Sequence, residues 1–196
     1  MKFFRHIILP FLLAGCFNAQ NLSAQPLLNH NQPCEEVADS LALQEKHVEA
    51  VEIYRNILHN TEKTISQEDK NRLYYKTGNS LMHAGKDRQA QPWFLKILDE
   101  TTTIELKSDV MTGLGKTYEY TGNRDSAFYW YLKSYQLVEA TTDTLRRARG
   151  ARNMAQLLRV LGRLDEAGNY CQEAVALIPG ISDYKTEANI YNETAY

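Results

Sequence analysis

The chain has 196 residues, 43% of them hydrophobic and 23% charged, with 22 basic against 24 acidic side chains and a formal net charge of −2. That balance suits an ordinary folded protein and lacks the positive excess on which nucleic-acid binding depends. Only five prolines occur, and Pro10 and Pro33 precede the regular part of the chain. Long helices are therefore permitted from about Glu35 onward, and the body is predicted to be nearly all helical.

The first two dozen residues read differently. Lys2 and Arg5 form a short basic start, and Ile7 to Leu13 form an apolar run too short to span a bilayer. Together they predict a secretory signal peptide over 1–15, and with it export from the cytoplasm. The run ends in Leu13-Ala14-Gly15-Cys16, which resembles the lipobox of bacterial lipoproteins. That resemblance implies cleavage before Cys16 and acylation of its thiol, so that several chains hold the protein at a membrane where a single one would bind only marginally. Phe17 is not an acidic retention signal, which points to the periplasmic side of the outer membrane. The alternative is ordinary cleavage after Ala19 or Ala24, which discards Cys16 and leaves a periplasmic or secreted protein. Residues 16–32 are polar, without a helical period, and read as a flexible tether.

Beyond the tether the same spaced set of small residues occurs three times: Gly78, Gly85, Ala90; Gly115, Gly122, Ala127; Ala155, Gly162, Ala167. The gaps inside each set are seven and five residues, and the sets follow at 37 and 40. A period of this size marks stacked helix pairs. In each unit a first helix carries an apolar stripe at three- and four-residue spacing, as in Tyr74, Thr77, Gly78, Leu81 or Met111, Leu114, Gly115, Tyr118. A glycine then closes it in the left-handed region. Asp125 and Asp165 stand where they are expected to cap the second helix. That helix buries Ala90, Phe94, Ile97, then Ala127, Tyr131, Ser134, then Ala167, Cys171, Ala174. An earlier, degenerate unit shows Val37-Ala38, Leu41, Ala50, Tyr54 and Ile57, with Glu45 in place of the turn glycine.

This arrangement resembles the tetratricopeptide repeat (TPR). Met111, Leu114-Gly115, Tyr118, Gly122, Ala127 and Tyr131 fill the family's series of large, small and aromatic positions, and the fourth unit adds Ala174 and Pro179. The resemblance implies an all-α superhelix of antiparallel helix pairs, with repeats over about 31–64, 71–104, 108–141 and 148–181. The units are longer than is usual for the family, as in the connection Glu100 to Ile104. Residues 184–196 repeat the spacing of Ala148, Ala151, Met154 and Ala155 forty residues on, at Ala188, Tyr191, Thr194 and Ala195, and read as the start of an incomplete fifth repeat. An open apolar edge there implies a fragment of a longer protein, or self-association.

The family binds protein or peptide partners in a groove lined by first-helix residues. Carried over position by position, that groove would include Arg72, Tyr75, Asn79, Lys116, Tyr120, Arg149, Arg152, Asn153, Gln156 and Arg159. The arginines of 146–159 are the sharpest local charge feature, and their guanidinium forks suit carboxylates. Competing motifs are weaker. Gly113-Leu114-Gly115-Lys116-Thr117 resembles the end of a phosphate-binding loop, but Val110 holds the place of its leading glycine and no strand precedes it. His47, His59 and His83 are scattered over separate units, without cysteine or carboxylate at ligand spacing. Cys34 and Cys171 lie three repeats apart, too far for a disulfide, with Cys171 expected to be buried and Cys34 exposed. The sequence thus predicts a non-catalytic envelope scaffold without a cofactor. The alternative is the N-terminal sensory part of a longer signalling protein with a transmembrane segment and a kinase or DNA-binding output domain.

Overall fold

The computed structural model describes residues 28–61, 63–101 and 103–180. The stretch read as a signal peptide, Cys16, the greater part of the expected tether and the expected fifth repeat lie outside them. Among the described residues there are eight α-helices and no strand. No helix among them is long and apolar enough to cross a membrane. The chain divides into two compact units, 1–86 and 87–196.

The first unit contains α1 (Leu28–Leu43), α2 (His47–Thr61) and α3 (Gln67–His83). Each packs on the next, and the core between them holds Ala38, Leu41, Ala50, Tyr54, Ile57, Leu73 and Leu81. The helix begins earlier than expected, because residues 28–32, assigned to the tether, already belong to α1. Polar residues such as Asn and Gln cost only tenths of a kcal/mol each in a helix, roughly, so a polar composition does not prevent one. The start of α3 is fixed by Ser66, whose Oγ accepts from the Asp69 amide at 3.1 Å and donates to the Asp69 carboxylate at 2.7 Å.

The second unit contains α4 (Asp87–Leu98), α5 (Ile104–Tyr120), α6 (Arg124–Glu139), α7 (Thr144–Val160) and α8 (Leu164–Leu177), followed by a 3-10 turn at Ile178–Gly180. Successive helices pack on one another, and α5 also touches α7. The core runs through Phe94, Ile97, Leu114, Ala127, Tyr131, Met154, Leu157, Leu158, Ala167 and Ala174. Gly113 and Gly115 sit in the middle of α5, where a side chain on Gly113 would stand 2.8 Å from the Phe94 ring and one on Gly115 would run into the Tyr131 ring. The resemblance to a phosphate-binding loop is thus accounted for by packing: both glycines let rings close on the α5 backbone.

The helices α1, α3, α5 and α7 start three or four residues before the repeat boundaries read from the sequence, at residues 28, 67, 104 and 144. The caps also differ. Asn123, not Asp125, caps α6, accepting from the Ser126 amide at 3.1 Å, and Arg163 stands at the cap of α8 without a side-chain capping bond, its guanidinium donating to Glu166 instead. Asp125 and Asp165 are second residues of their helices, where their charge meets the positive end of the helix dipole.

The four connections that follow α1, α3, α5 and α7 share one geometry. The amide two residues past the last helical turn reaches back five positions, Lys46 to Leu41, Lys86 to Leu81, Asn123 to Tyr118 and Arg163 to Leu158, each at 2.9 Å. A second bond joins Glu45 to Ala42, Gly85 to Met82, Gly122 to Glu119 and Gly162 to Arg159, each at 3.0 Å. This pair of bonds requires a left-handed residue between them. Gly85, Gly122 and Gly162 supply it with φ of 69°, 82° and 74°, and Glu45 adopts it at φ 62°. The degenerate first repeat therefore has the same turn, at the cost of holding a side chain in the left-handed region.

That cost is about 1 kcal/mol for a non-glycine residue. Glu45→Gly is expected to raise the urea midpoint and Gly122→Ala to lower it, each by the equivalent of ~1 kcal/mol. A Cβ on Gly122 meets nothing within 4 Å, so the loss isolates the backbone. Equilibrium unfolding followed by circular dichroism measures both.

Candidate functional site

In the first unit, the predicted groove residues Arg72, Tyr75 and Asn79 lie on α3, with Arg72 exposed and the other two half-buried. Arg72 is held by acids. Its Nε and Nη2 donate to the two Glu35 oxygens at 3.0 and 3.1 Å, and its Nη1 donates to Asp69 Oδ1 at 2.7 Å. One turn further, Lys76 Nζ donates at 2.7 Å to both Glu35 Oε1 and Asp39 Oδ2, and the other Asp39 oxygen accepts from the Tyr54 hydroxyl at 2.6 Å. Arg72 and Lys76 are thus bound to carboxylates of α1, partners that the groove assignment of Arg72 did not include. Burial pushes the Glu35 carboxyl up, but the hydrogen bonds and charges of Arg72 and Lys76 outweigh it and hold the group below its ordinary value of 4.5.

His47 and His83, placed in separate repeats by the sequence, are stacked in this unit with ring centroids 5.1 Å apart. The described residues contain no group of three side chains that could hold a metal ion, and the pair adds no third ligand.

In the second unit, Lys116 and Tyr120 lie on α5, and Arg149, Arg152, Asn153, Gln156 and Arg159 on α7. Tyr120 is 67% exposed, Arg149 and Arg159 are exposed, and Lys116, Arg152 and Gln156 are half-buried. Arg149, Arg152, Gln156 and Arg159 follow at steps of three, four and three, which keeps them on one stripe of α7. Asn153 leaves the set. It is only 4% exposed and turns its Oδ1 to Arg152 Nη2 at 3.0 Å, because its position falls on the buried stripe with Ala151 and Met154.

The arginine cluster is divided in the same way. Arg146 bridges Asp109 Oδ2 of α5 at 3.0 Å and Asp143 Oδ2 at 2.5 Å, and Asp143 also caps α7 by accepting from the Arg146 amide. Arg147 approaches Glu173 at 4.0 Å. Arg146 joins α7 to α5 and Arg147 reaches α8, while along the stripe Arg149 and Arg159 are exposed and Arg152 is half-buried with its Nε enclosed. Behind the stripe, the Tyr131 hydroxyl donates to Glu119 at 2.7 Å, and burial together with that carboxylate drives its pKa upward. The cysteines reverse the expectation: Cys34 is buried, whereas Cys171 is a half-exposed free thiol, raised by burial and opposed by the charge of Arg159.

The structural partners Glu35, Asp39 and Asp109 were not separable from groove residues by position alone. Their signal is the repeat step: Glu35 to Arg72, Asp39 to Lys76 and Asp109 to Arg146 are all separated by 37 residues.

No family model matches the chain, and no curated protein matches it. Solved structures do. The nearly identical TPR-like repeats of a Podosopora anserina putative kinesin light chain align at 16% identity over 83% of this chain and 85% of that chain, with a TM-score of 0.63. PcrH in complex with the chaperone binding region of PopB aligns at 21% over 66% and 98%, with a TM-score of 0.55. The STAND protein PH0952 of Pyrococcus horikoshii, which has a tetratricopeptide repeat sensor, aligns at 16% over 85% of this chain, with a TM-score of 0.72. This chain spans 26% of that one. The fold is all-α and of the TPR solenoid type.

The α1–α3 network makes stability depend on acid. Glu35 has a lowered folded-state pKa, so its contribution is fully present above the unfolded value of about 4.5 and is lost as pH falls through the folded value. Glu35→Gln is expected to lower the urea midpoint at neutral pH. The gap from wild type should shrink as pH falls below about 4. Parallel denaturation series at neutral and acid pH measure it.

Proposed function

We propose that the protein is a non-catalytic repeat scaffold of the bacterial cell envelope, which binds a protein or peptide partner on the first-helix face of its second unit. The observation that carries this reading is the stripe of Arg149, Arg152, Gln156 and Arg159 along α7, exposed at Arg149 and Arg159, with Lys116 and exposed Tyr120 on α5, the helix that α7 touches. Guanidinium forks, an amide and a phenol are side chains that hydrogen-bond peptide carboxylates and carbonyls, and an exposed tyrosine adds contact area at low entropic cost. PcrH, solved with a segment of PopB, supports a protein ligand as the class of partner. A second reading, the sensory part of a longer signalling chain, draws on the sensor repeats of PH0952.

Export and anchoring rest on Lys2, Arg5, the Ile7 to Leu13 run and Cys16. In cells fed an alkyne fatty acid, the full chain is expected to take up label and Cys16→Ala to lose it. Label retained in Cys16→Ala, or absent from wild type, discards the lipid anchor.

For the partner, affinity capture from envelope extracts with the full chain is the test. Replacing Lys116, Arg149 and Arg152 together by glutamate is expected to weaken capture at least about tenfold, since each lost charge-assisted bond is worth roughly 1.5–3 kcal/mol. Undiminished capture by a variant of normal helix content would reject this face.

A further inference from the structure

The contact between α6 and α7 shows how a second helix of one repeat receives the first helix of the next. Gly150 faces Tyr135 there, and a side chain on Gly150 would put its Cβ 3.5 Å from the Tyr135 Cα and 3.7 Å from its Cβ. Tyr131 shares a core cluster with Ala148 and Ala151. Large residues on α6 thus meet small ones on α7, which leaves Tyr131 and Tyr135 only 3% and 7% exposed.

One repeat later the sizes are exchanged. At the 40-residue step that carries Ala127 to Ala167, the two tyrosines of α6 become Cys171 and Val175 on α8. Cys171 is half-exposed and Val175 is 36% exposed. The same step carries Gly150 to Ile190 and Ala151 to Tyr191, which lie outside the described residues, while Ala148 and Ala155 return as Ala188 and Ala195. Tyr135 with Gly150 becomes Val175 with Ile190, and Tyr131 with Ala151 becomes Cys171 with Tyr191. Volume lost on one side of the contact is regained on the other, which is the kind of change that packed cores tolerate best.

We infer that residues 184–195 of the same chain form a helix that docks on α8, with Ile190 against Val175 and the Tyr191 ring over Cys171. Bulk gained at the two positions where α8 loses it has a physical role only if the two surfaces touch. Tyr184, Ala188, Tyr191 and Ala195 follow at steps of four, three and four, which puts them on one side of a helix. The connection suits the chain's own segment rather than a second copy. In the preceding repeat α6 ends at Glu139 and α7 starts at Thr144, and the same step starts the segment at Tyr184, with residues 181–183 to join it to the turn at Ile178–Gly180. Docking in this register buries Val175 and removes the apolar edge that self-association would need.

Paired cysteines test this register in the full chain. With Cys171→Ser to remove the free thiol, Val175→Cys and Ile190→Cys together are expected to form an intramolecular disulfide on mild oxidation. A disulfide takes a Cβ separation of about 3.5–4.5 Å, and the corresponding positions of Tyr135 and Gly150 stand at 3.7 Å. Tyr135→Cys with Gly150→Cys is the positive reference. Val175→Cys with Asn189→Cys, on a neighbouring side of the helix, is expected to close at least about tenfold more slowly. Non-reducing gels give the mass of the product, and peptide mass spectrometry gives the bond. A disulfide-linked dimer assigns the face to a second copy and overturns the inference. Equal closure with Asn189→Cys also overturns it, as does the lack of a bond between positions 175 and 190 while the reference pair closes.

Discussion

The ring of Tyr131 lies where a side chain on Gly115 would have to stand, and most of the second unit is arranged around that close approach. A helix pair of this length buries little surface by itself. It becomes stable only when its two backbones come near enough for one large residue to fill the space left by small ones. Gly115 and Ala127 bring α5 and α6 together, Gly113 admits Phe94 from α4, and Ala148, Ala151 and Ala155 let α7 lie against the tyrosines of α6. Each fully buried aromatic then contributes roughly 2 kcal/mol. Enlarging one of the glycines would separate the helices rather than merely crowd a pocket.

Once packing has set the separation of the helices, polar contacts set their register. Tyr131 to Glu119 ties α6 to α5, Tyr135 to Glu173 ties α6 to α8, and Arg146 to Asp109 ties α7 to α5. In the first unit Arg72 and Lys76 do the same between α3 and α1. Partly exposed ion pairs of this kind are worth roughly 0–1 kcal/mol each, so their main effect is positional. They also determine which cations are committed to joining helices. In a stretch that looks uniformly basic in sequence, Arg146 is bonded to Asp109 and Asp143 and Arg152 to the buried Asn153, beside the exposed Arg149 and Arg159.

The repeats were legible because their period depends on backbone geometry. A left-handed residue between two short helices favours glycine strongly enough to show three times at the same offset from an alanine, and the structure places Gly85, Gly122 and Gly162 in that role. Glu45 was harder to read, since the turn's two backbone hydrogen bonds impose the same conformation on a residue that does not advertise it. Helix starts were less legible still. The N-cap is the residue directly after the left-handed one, so Asn123 and Arg163 take it and the more suggestive Asp125 and Asp165 move inside.

By itself the sequence determined the helix pairs, their turns and their buried stripe, because periodicity and glycine chemistry act locally and leave marks a few residues apart. Tertiary structure alone decided what the polar residues do. Asn153 is turned inward by its place on the α7 stripe, Arg72 is taken by Glu35, and His47 meets His83 across two repeats. These outcomes depend on which atoms of distant helices come within a few ångströms, and composition and spacing along one chain do not encode that distance.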